Sequence, residues 1–311
     1  MPALEDVFAC PACRATAVSH EGDAYVCGGC ARLYPIVRRI PRFVGDLESG
    51  QAQVQRVFDF EHRRYTDSQH TQFSPSLVDD FLADNELPPE FFAGTRALDA
   101  GCGSGRWTYA LAHLGADVVG ADLTEGGLES AQAELGDRPN VLLVQADIFR
   151  LPLRPDSFDF VISWGVLHHT PDTRSAFDRL VPLVRSGGTL YVMVYEQHSR
   201  LRQAGTNALR AILRRFSDER RYRLCRHLVI RNRVLARALM PFFMLAHYDP
   251  ATAEVDQRSM QFGLFDAYSP RYNHLHGRAE VVGWFREHGF VDVGVLDTPP
   301  GTTVKVRGTK P

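Results

Sequence analysis

The chain has 311 residues, of which 44% are hydrophobic and 23% are charged, and its formal net charge at pH 7 is −2. This length suits one large or two smaller domains with a proper core, and the charge balance calls for neither a nucleic acid nor a membrane surface as partner. No apolar run reaches the length of a membrane span, and the first residues lack the pattern of a secretory signal, so we expect a cytoplasmic protein.

Residues 1–45 are marked by two pairs of cysteines, each with two residues between its members. Cys10 and Cys13 form the first pair, and Cys27 and Cys30 form the second. Four thiolates on two such turns can close a tetrahedral zinc site, and a segment this small has too little apolar surface to fold without metal. Because cysteine fills all four positions, we expect a structural Zn²⁺. Redox pairs or disulfides are the alternative, which the expected compartment disfavours.

The residues after the second pair read Leu-Tyr-Pro-Ile-Val-Arg-Arg-Ile-Pro-Arg-Phe over 33–43. This stretch resembles the zinc-ribbon family that activates eukaryotic tRNA and protein methyltransferases, in which such a strand follows the second knuckle. The resemblance implies a zinc ribbon fused in cis to the rest of the chain.

Residues 46–94 are predicted to be a linker followed by helices. Val54, Val57, Phe58 and Phe60 recur at helical spacing, and a second helix is expected over 73–82.

A glycine turn over 99–105 organises the next segment. A short apolar strand ends at Asp99, and Gly101, Gly103 and Gly105 precede a helix, so the backbone can approach a nucleotide-like ligand closely. A dinucleotide-binding turn would need a glycine at position 106, where Arg106 stands. The pattern D-x-G-x-G-x-G instead resembles the first motif of class I S-adenosylmethionine (SAM) dependent methyltransferases.

Three further motifs follow in the order that a doubly wound sheet requires. A second strand ends at Asp122, where an acid can accept hydrogen bonds from both ribose hydroxyls, or can cap the helix over 124–135. A third strand ends at Asp147 and Ile148, which resemble the motif that meets the adenine amino group and packs on its ring. The run 151–163, with its Leu-Pro and Ser-Phe-Asp, leads into a buried strand and resembles the type 11 branch of these enzymes.

The resemblance implies an α/β fold, with a Rossmann-like doubly wound seven-stranded sheet, an N-terminal zinc ribbon and a helical lid. The expected divisions are 1–45 for the ribbon, 46–94 for linker and helices over the cofactor, 95–197 and 268–311 for the SAM-binding core, and 198–267 for the lid. Asp99 would place the methionine amino group, or would fix the turn by side-chain-to-backbone bonds. The expected SAM-binding residues are Asp99, Gly101, Gly103, Gly105, Asp122, Leu123, Asp147, Ile148, Ser163 and Tyr65, with Phe58 as a further aromatic candidate.

Methyl transfer requires in-line positioning and removal of a proton from the acceptor, so a base is expected near the end of the fourth strand. His168 and His169 follow that strand, although one histidine of such a pair often packs structurally. The remaining catalytic candidates are Tyr195 and Glu196, at the tip of the fifth strand, and His276.

The insertion at 198–267 is predicted to be helical over 201–216 and over 219–245, with a break at Pro241. Its many arginines could recognise an acidic or phosphorylated substrate or an RNA backbone, or could form the solvated face of amphipathic helices. The loop after it resembles the segment that covers the acceptor pocket in the same enzymes. This resemblance makes Tyr268, Arg271, Tyr272 and His274 substrate-contact candidates, whereas His276 could instead cap the helix that follows.

The sequence therefore predicts a SAM-dependent methyltransferase that acts on nitrogen or oxygen of a small-molecule or glycan-type acceptor. The alternatives are a tRNA or rRNA methyltransferase, an enzyme that transfers or cyclises the aminocarboxypropyl arm of SAM, and a non-enzymatic ribbon-type activator. A small-molecule partner is favoured over nucleic acid, no membrane partner is expected, and the oligomeric state stays open.

Overall fold

A computed structural model of the chain describes residues 4–65, 73–250, 257–298 and 301–311. The N-terminal part is a four-stranded antiparallel sheet in the order β1-β2-β3-β4. Cys10 and Cys13 precede its first strand, Cys27 ends the second, and Cys30 follows it. Its strands are β1 (Val18–Glu21), β2 (Ala24–Cys27), β3 (Leu33–Val37) and β4 (Ile40–Pro41).

The main sheet has seven strands in the order β12-β13-β9-β8-β5-β6-β7. Every neighbouring pair is parallel except those made by β13, which runs antiparallel to both β9 and β12. This arrangement confirms the predicted Rossmann-like, doubly wound sheet. Its strands are β5 (Arg96–Ala100), β6 (Asp117–Asp122), β7 (Val141–Gln145), β8 (Phe158–Trp164), β9 (Val184–Tyr195), β12 (Val291–Val295) and β13 (Thr303–Thr309).

The central strands are apolar along most of their length because helices cover both faces of the sheet. In β8, Phe158, Phe160, Val161 and Ile162 are wholly buried, which explains why this strand reads as a continuous apolar run. The covering helices are α1 (Ser49–Tyr65), α2 (Pro75–Asn85), α3 (Arg106–His113), α4 (Glu125–Leu135), α5 (Thr173–Leu180) and α10 (Arg278–Glu287), and short 3-10 turns join several of them to strands.

Two helix boundaries differ from the sequence expectation in an instructive way. The second helix begins at Pro75 rather than at residue 73, because proline is favoured in the first turn of a helix, where its missing N–H costs nothing. The helix expected over 219–245 is interrupted after Cys225, and Asn232 caps a new helix by accepting a hydrogen bond from the N–H of Leu235 at 3.0 Å.

The insertion therefore consists of short elements rather than two long helices. They are α6 (Arg200–Leu213), α7 (Asp218–Cys225), β10 (Val229–Ile230), α8 (Arg233–Leu239), β11 (Ala246–His247) and α9 (Gln257–Tyr268), with β10 and β11 paired in parallel. Two of its arginines are buried and donate hydrogen bonds to backbone carbonyl oxygens. Arg210 donates to the carbonyl oxygens of Ala267 and Pro270, the second at 2.7 Å, and Arg221 donates to the carbonyl oxygen of Leu213 at 3.2 Å.

The N-terminal sheet shares a core with the main sheet. Phe8, Tyr25, Tyr34 and Phe43 form an aromatic cluster with ring centroids 4.7–5.9 Å apart. This cluster is continuous with buried residues of the main sheet, and the N–H of Phe43 donates to the carbonyl oxygen of Gln145 at 2.8 Å. Because Gln145 ends the edge strand β7, the N-terminal part also covers an otherwise open sheet edge. No helix in the described segments is long and apolar enough to cross a membrane.

Candidate cofactor and acceptor site

A cavity of about 420 Å³ lies at the carboxyl ends of β5, β6 and β8. Strand β5 has β6 on one side and β8 on the other, so the order of winding reverses at this point, which is where open α/β sheets bind ligands. Helix α1 forms the roof: Gln55 donates to the carbonyl oxygen of Leu123 at 2.9 Å, and Asp59 accepts the N–H of Gly126 at 2.8 Å.

The glycine turn forms one wall of this cavity through Gly101 and Gly103. Both have positive φ angles, 88° and 52°. A Cβ at position 103 would lie 2.8 Å from the imidazole of His62, so the turn leaves no room for a side chain. Gly105 serves differently: it caps α3 and packs against α4, where a Cβ would approach Ala131 to 3.0 Å.

Asp122 ends β6 and ties the glycine turn to the next loop. Its Oδ2 accepts the N–H of Gly103 at 2.7 Å, while its Oδ1 accepts both the N–H and the hydroxyl of Thr124, at 2.7 Å and 2.6 Å. A carboxylate offers about four acceptor positions, so one remains, on Oδ2. Thr124, not Asp122, is the N-cap residue of α4.

Asp99 lies behind the turn, where the hydroxyl of Thr108 donates to its Oδ2 at 2.7 Å. Burial raises the pKa of this carboxyl to about 7, the Thr108 hydrogen bond opposes the rise, and the charge of Asp122 adds to it. The arrangement supports a role in ordering the turn.

The far end of the cavity is lined by Leu123, Asp147 and Ile148. Oδ1 of Asp147 accepts the N–H of Phe149 at 3.0 Å, and Oδ2 accepts the side-chain amide of Gln51 at 3.1 Å, which leaves acceptor capacity on both oxygens. Ser163 is buried outside the cavity lining and donates to the carbonyl oxygen of Ala100 at 2.8 Å. Tyr65 ends α1, but its side chain lies outside the described part of the structure.

These residues fit the cofactor that the sequence predicts. A Cβ-free turn lets a ligand approach the backbone, one acid at the end of β6 and another after β7 offer acceptors at separate points, and Ile148 offers an apolar face. SAM would therefore be held by Gly101, Gly103, Asp122, Asp147 and Ile148.

The other half of the cavity brings His169 together with Tyr195 and Asp266. Nδ1 of His169 lies 3.1 Å from the carbonyl oxygen of Tyr272, and Nε2 lies 3.2 Å from Oδ1 of Asp266. The hydroxyl of Tyr195 donates to Oδ2 of Asp266. Burial raises the pKa of Asp266, but His169, Tyr195 and Arg210 outweigh burial, and the net pKa is below the ordinary value. Nε2 of His169 and Oδ1 of Asp266 are thus within ion-pair distance without the alignment of a hydrogen bond, and the two side chains form a pair at this end of the cavity.

His168 takes the packing role. Its ring is wholly buried, lies outside the cavity lining, and stacks 3.9 Å from the ring of Tyr195 between centroids. Burial lowers the pKa of His168 well below its ordinary value, and the neighbouring histidines lower it further. The two histidines of the predicted pair therefore have different environments.

Glu196 and His276 lie outside the cavity lining. Glu196 accepts a hydrogen bond from Arg278 at 2.8 Å, and this contact holds the pKa of its carboxyl below the usual range despite partial burial. Nδ1 of His276 lies 2.8 Å from Oε1 of Glu280, and the N-cap position that we considered for His276 belongs to Gly277. Both side chains tie α10 to the sheet in this structure.

The four substrate-contact candidates lie outside the cavity lining. Tyr268 is wholly buried among the insertion helices, and its hydroxyl donates to the carbonyl oxygen of Met244 at 2.7 Å, so the structure makes it a core residue and corrects that expectation. Arg271 is exposed, with its N–H bonded to Oε1 of Gln53. The carbonyl oxygen of Tyr272 faces Nδ1 of His169, and Nε2 of His274 lies 3.1 Å from the carbonyl oxygen of Thr170.

Two acids that line the cavity were not predicted from the sequence as site residues. Asp266 lies in α9, and Glu61 lies in α1, both at the acceptor half of the cavity. Their only signal in the sequence is an acid placed within an aromatic run, Phe265-Asp266-Ala267-Tyr268 and Phe60-Glu61-His62. Charged residues are rarely buried without a partner or function, so this signal could have drawn attention to them.

The four N-terminal cysteines form a compact cluster at one end of the small sheet. Their Sγ atoms all lie within 4.8 Å of one another, with Cys10 to Cys30 at 3.7 Å and Cys13 to Cys27 at 3.5 Å. Sulfur ligands of tetrahedral zinc, with Zn–S bonds of 2.3 Å, lie about 3.8 Å apart. The N–H of Gly29 points to the Sγ of Cys27 at 3.4 Å, as in an ordered ligand turn.

Comparison with known proteins agrees with this geometry. Residues 98–192 match a family model described as a methyltransferase domain. The chain is similar to demethylmenaquinone methyltransferase of Staphylococcus aureus, with 28% identity over 164 residues, 50% of this chain and 65% of that protein. The chain thus spans about two thirds of the length of the curated relatives that it matches.

Among solved structures, the chain resembles a SAM-dependent methyltransferase from Thermotoga maritima, with a TM-score of 0.48 and 16% identity over 83% of this chain and 100% of the other. It also resembles magnesium protoporphyrin IX methyltransferase from Synechocystis, with a TM-score of 0.43 and 17% identity over 86% and 90% of the two chains. The matched family model and the seven-stranded sheet together identify the fold and the domain. The chain contains a methyltransferase domain that includes residues 98–192 and is built on a Rossmann-like sheet.

Proposed function

We propose that this protein transfers the methyl group of SAM to a nitrogen or oxygen atom of a small-molecule acceptor. The observation that carries the proposal is the continuity of one cavity. Its cofactor half, with Gly103, Asp122 and Asp147, opens into a half lined by His169 and Asp266. Bound SAM would supply an activated methyl group to this second half.

The protein's own part in the reaction is positioning and proton handling. An attacking nitrogen or oxygen atom must shed a proton, and the His169–Asp266 pair is the proton-handling group that we assign to the acceptor half. Tyr195 holds the second oxygen of Asp266, and burial, with the neighbouring Asp266 charge, raises the pKa of Tyr195 well above its ordinary value. The hydroxyl of Tyr195 therefore stays neutral, donates a hydrogen bond that orients Asp266, and does not serve as the base.

The limited volume of the cavity favours a small acceptor over a nucleic acid. Its roof is α1, which is bonded to the loop after β6 and packs against α9 of the insertion. Gln53 of α1 also donates to the carbonyl oxygen of Ser269, directly after α9, at 3.3 Å. A volume of about 420 Å³ has to accommodate both the cofactor and the acceptor's reacting end.

The N-terminal sheet, in this proposal, binds one structural zinc ion through Cys10, Cys13, Cys27 and Cys30. The sulfur spacing supports the assignment, and four protein ligands leave no position open for a substrate.

The experiment is a transfer assay with SAM labelled in its methyl group. Purified protein is incubated with separate pools of amines, alcohols with phenols, and carboxylic acids, and with total RNA, and the labelled product is isolated. We expect label in one small-molecule pool and at least a hundredfold loss of transfer in His169→Asn. Label in RNA alone, or full activity of His169→Asn, would contradict the assignment of acceptor class or of the proton-handling pair.

A further inference from the structure

Glu61 differs from the other acids that line the cavity. Among the described residues, Asp99, Asp122, Asp147 and Asp266 each accept at least one hydrogen bond. Within the described part of the chain, no hydrogen bond reaches the carboxyl of Glu61, and its Oε2 is buried without a partner. Burying a carboxyl group without a hydrogen-bond partner costs free energy. A ligand that supplies the missing hydrogen bonds would therefore gain affinity.

The position of Glu61 assigns it to the acceptor rather than to the cofactor. Burial, with the nearby charge of Asp266, raises the pKa of the Glu61 carboxyl well above its ordinary value. Asp266 and Tyr195 line the half of the cavity away from Asp147. Phe58 lies one turn earlier on α1, and its ring centroid is 5.2 Å from that of His169. The surroundings of Glu61 are therefore acidic and aromatic.

The cations that line the described cavity do not neutralise this acid. Arg106 lies over the ring of Trp107 at 4.4 Å and within 3.9 Å of Asp80 outside the cavity lining. His169 faces Asp266 and the carbonyl oxygen of Tyr272. His62 stands against the glycine turn, at the cofactor side. At the acceptor half, the pKa of Asp266 is below its ordinary value, so an acidic acceptor would meet a like charge there.

From these observations we propose that Glu61 recognises the acceptor and that the acceptor is an amine, which enters as its ammonium ion. The inference rests on the proposed function and names the substrate class of the same site. Glu61 would accept hydrogen bonds from the ammonium group, and the aromatic face of Phe58 would favour a cation beside it.

The reaction balances with the residues named. The ammonium ion, held by Glu61, gives one proton to the His169–Asp266 pair and becomes a neutral amine. Its nitrogen lone pair then forms the N–C bond as the S–C bond breaks, and the electron pair of that bond stays on sulfur. The products are an N-methylammonium ion and S-adenosylhomocysteine (SAH), and the His169–Asp266 pair returns its proton to solvent when the product leaves.

The test measures binding of matched probes to protein loaded with SAH, which cannot donate a methyl group. The probes are benzylamine, benzyl alcohol and benzoate, together with their linear six-carbon counterparts. The variants are Glu61→Gln and, as a matched control, Glu48→Gln, which removes the same charge at an exposed position just before α1. Calorimetry gives the dissociation constant of each probe and of SAH.

We expect the wild-type protein and Glu48→Gln to bind an amine at least tenfold more tightly than the matched alcohol or carboxylate. We expect Glu61→Gln to lose that preference while its SAH affinity stays within about twofold. Equal binding of the three probe classes by the wild-type protein, or an unchanged preference in Glu61→Gln, would overturn the inference and leave methyl transfer standing. Failure of SAH to bind would overturn the proposed function and this inference together.

Discussion

Oδ2 of Asp122 accepts the backbone N–H of Gly103 at 2.7 Å, across the gap between β6 and the loop after β5. The acid that we assign to the ribose therefore also holds the glycine turn in shape. The glycine turn and the acid at the end of β6 appear in the sequence as separate motifs, but in the structure they form one unit of the cofactor site. A substitution in either feature should therefore lower the affinity of the cavity for the cofactor.

Asp122→Ala should lower SAH affinity by at least thirtyfold, because it removes three hydrogen bonds that shape the loop and the remaining acceptor position for a ribose. Hydrogen bonds to charged groups contribute about 1.5–3 kcal/mol each, so the loss of one ligand contact already accounts for that factor. Calorimetric titration measures it. Asp117→Ala, at the opposite end of the same strand, is the control and should bind SAH normally. Normal binding by Asp122→Ala would refute the ribose assignment.

Gly101→Ala should destabilise the protein by about 1–2 kcal/mol and lower SAH affinity at least tenfold. Position 101 has a φ of 88°, and an added Cβ would overlap the side chain of Val166, which itself lines the cavity. Gly22→Ala separates the two effects, because Gly22 also has a positive φ of 59° but has no atom within 4 Å of an added Cβ. Urea unfolding should show a comparable backbone cost in both variants, and only Gly101→Ala should lose affinity. Equal SAH affinity of the two variants would contradict the close approach of ligand and turn.

Asp99→Asn should change how the stability of the ligand-free protein depends on pH. Burial raises the pKa of the Asp99 carboxyl to about 7, above its ordinary value of 3.8, so the folded state holds this proton more tightly than the unfolded state. Stability from this group is present below pH 3.8 and is lost as the pH rises towards 7, by up to about 1.4 kcal/mol per pH unit. Asparagine keeps an acceptor for Thr108 and does not titrate. The wild-type protein should therefore lose about 2 kcal/mol more than the variant between pH 5 and pH 7 in urea unfolding, and parallel pH profiles would exclude a buried titrating carboxyl.

Removal of zinc should destabilise more than the N-terminal sheet. The aromatic cluster of that sheet packs against the core of the main sheet, and Phe43 pairs with the edge strand, so loss of the metal should expose both. We expect one zinc ion per chain by metal analysis, a lower Tm after chelation, and loss of zinc in Cys27→Ser. Cys225→Ala, which removes a buried thiol of the insertion, should keep its zinc. Full zinc content in Cys27→Ser, or a metal-free wild-type protein, would refute the four-cysteine site.

The sheet was predictable because its motifs combine short-range patterns with a fixed order. Apolar strands that end in Asp99, Asp122 and Asp147, spaced by helices, specify both the winding and the end of the sheet where ligands bind. The Rossmann-like seven-stranded sheet was confirmed. The cofactor residues remain predictions, and the cavity contains most of them, with Ser163 and Gly105 outside its lining.

The acceptor half was not predictable in the same way, because it depends on contacts between distant segments. Asp266 reaches His169 only after the insertion has folded onto α1, and Arg210 braces the end of α9 from a helix more than 50 residues earlier. Tyr268 matched a familiar loop pattern but became a core residue, since the helix before it continues through that position. Local patterns do not encode such packing, and only the three-dimensional arrangement separates His168 from His169.

The measurement that tests the account most directly is the calorimetric titration of purified, zinc-containing protein with SAH. The account predicts one site per chain with a micromolar dissociation constant, and a rise in the unfolding temperature of the protein on binding. No heat of binding and no thermal shift, in a folded sample stripped of carried-over ligand, would contradict the assignment of the cavity at the glycine turn to SAM.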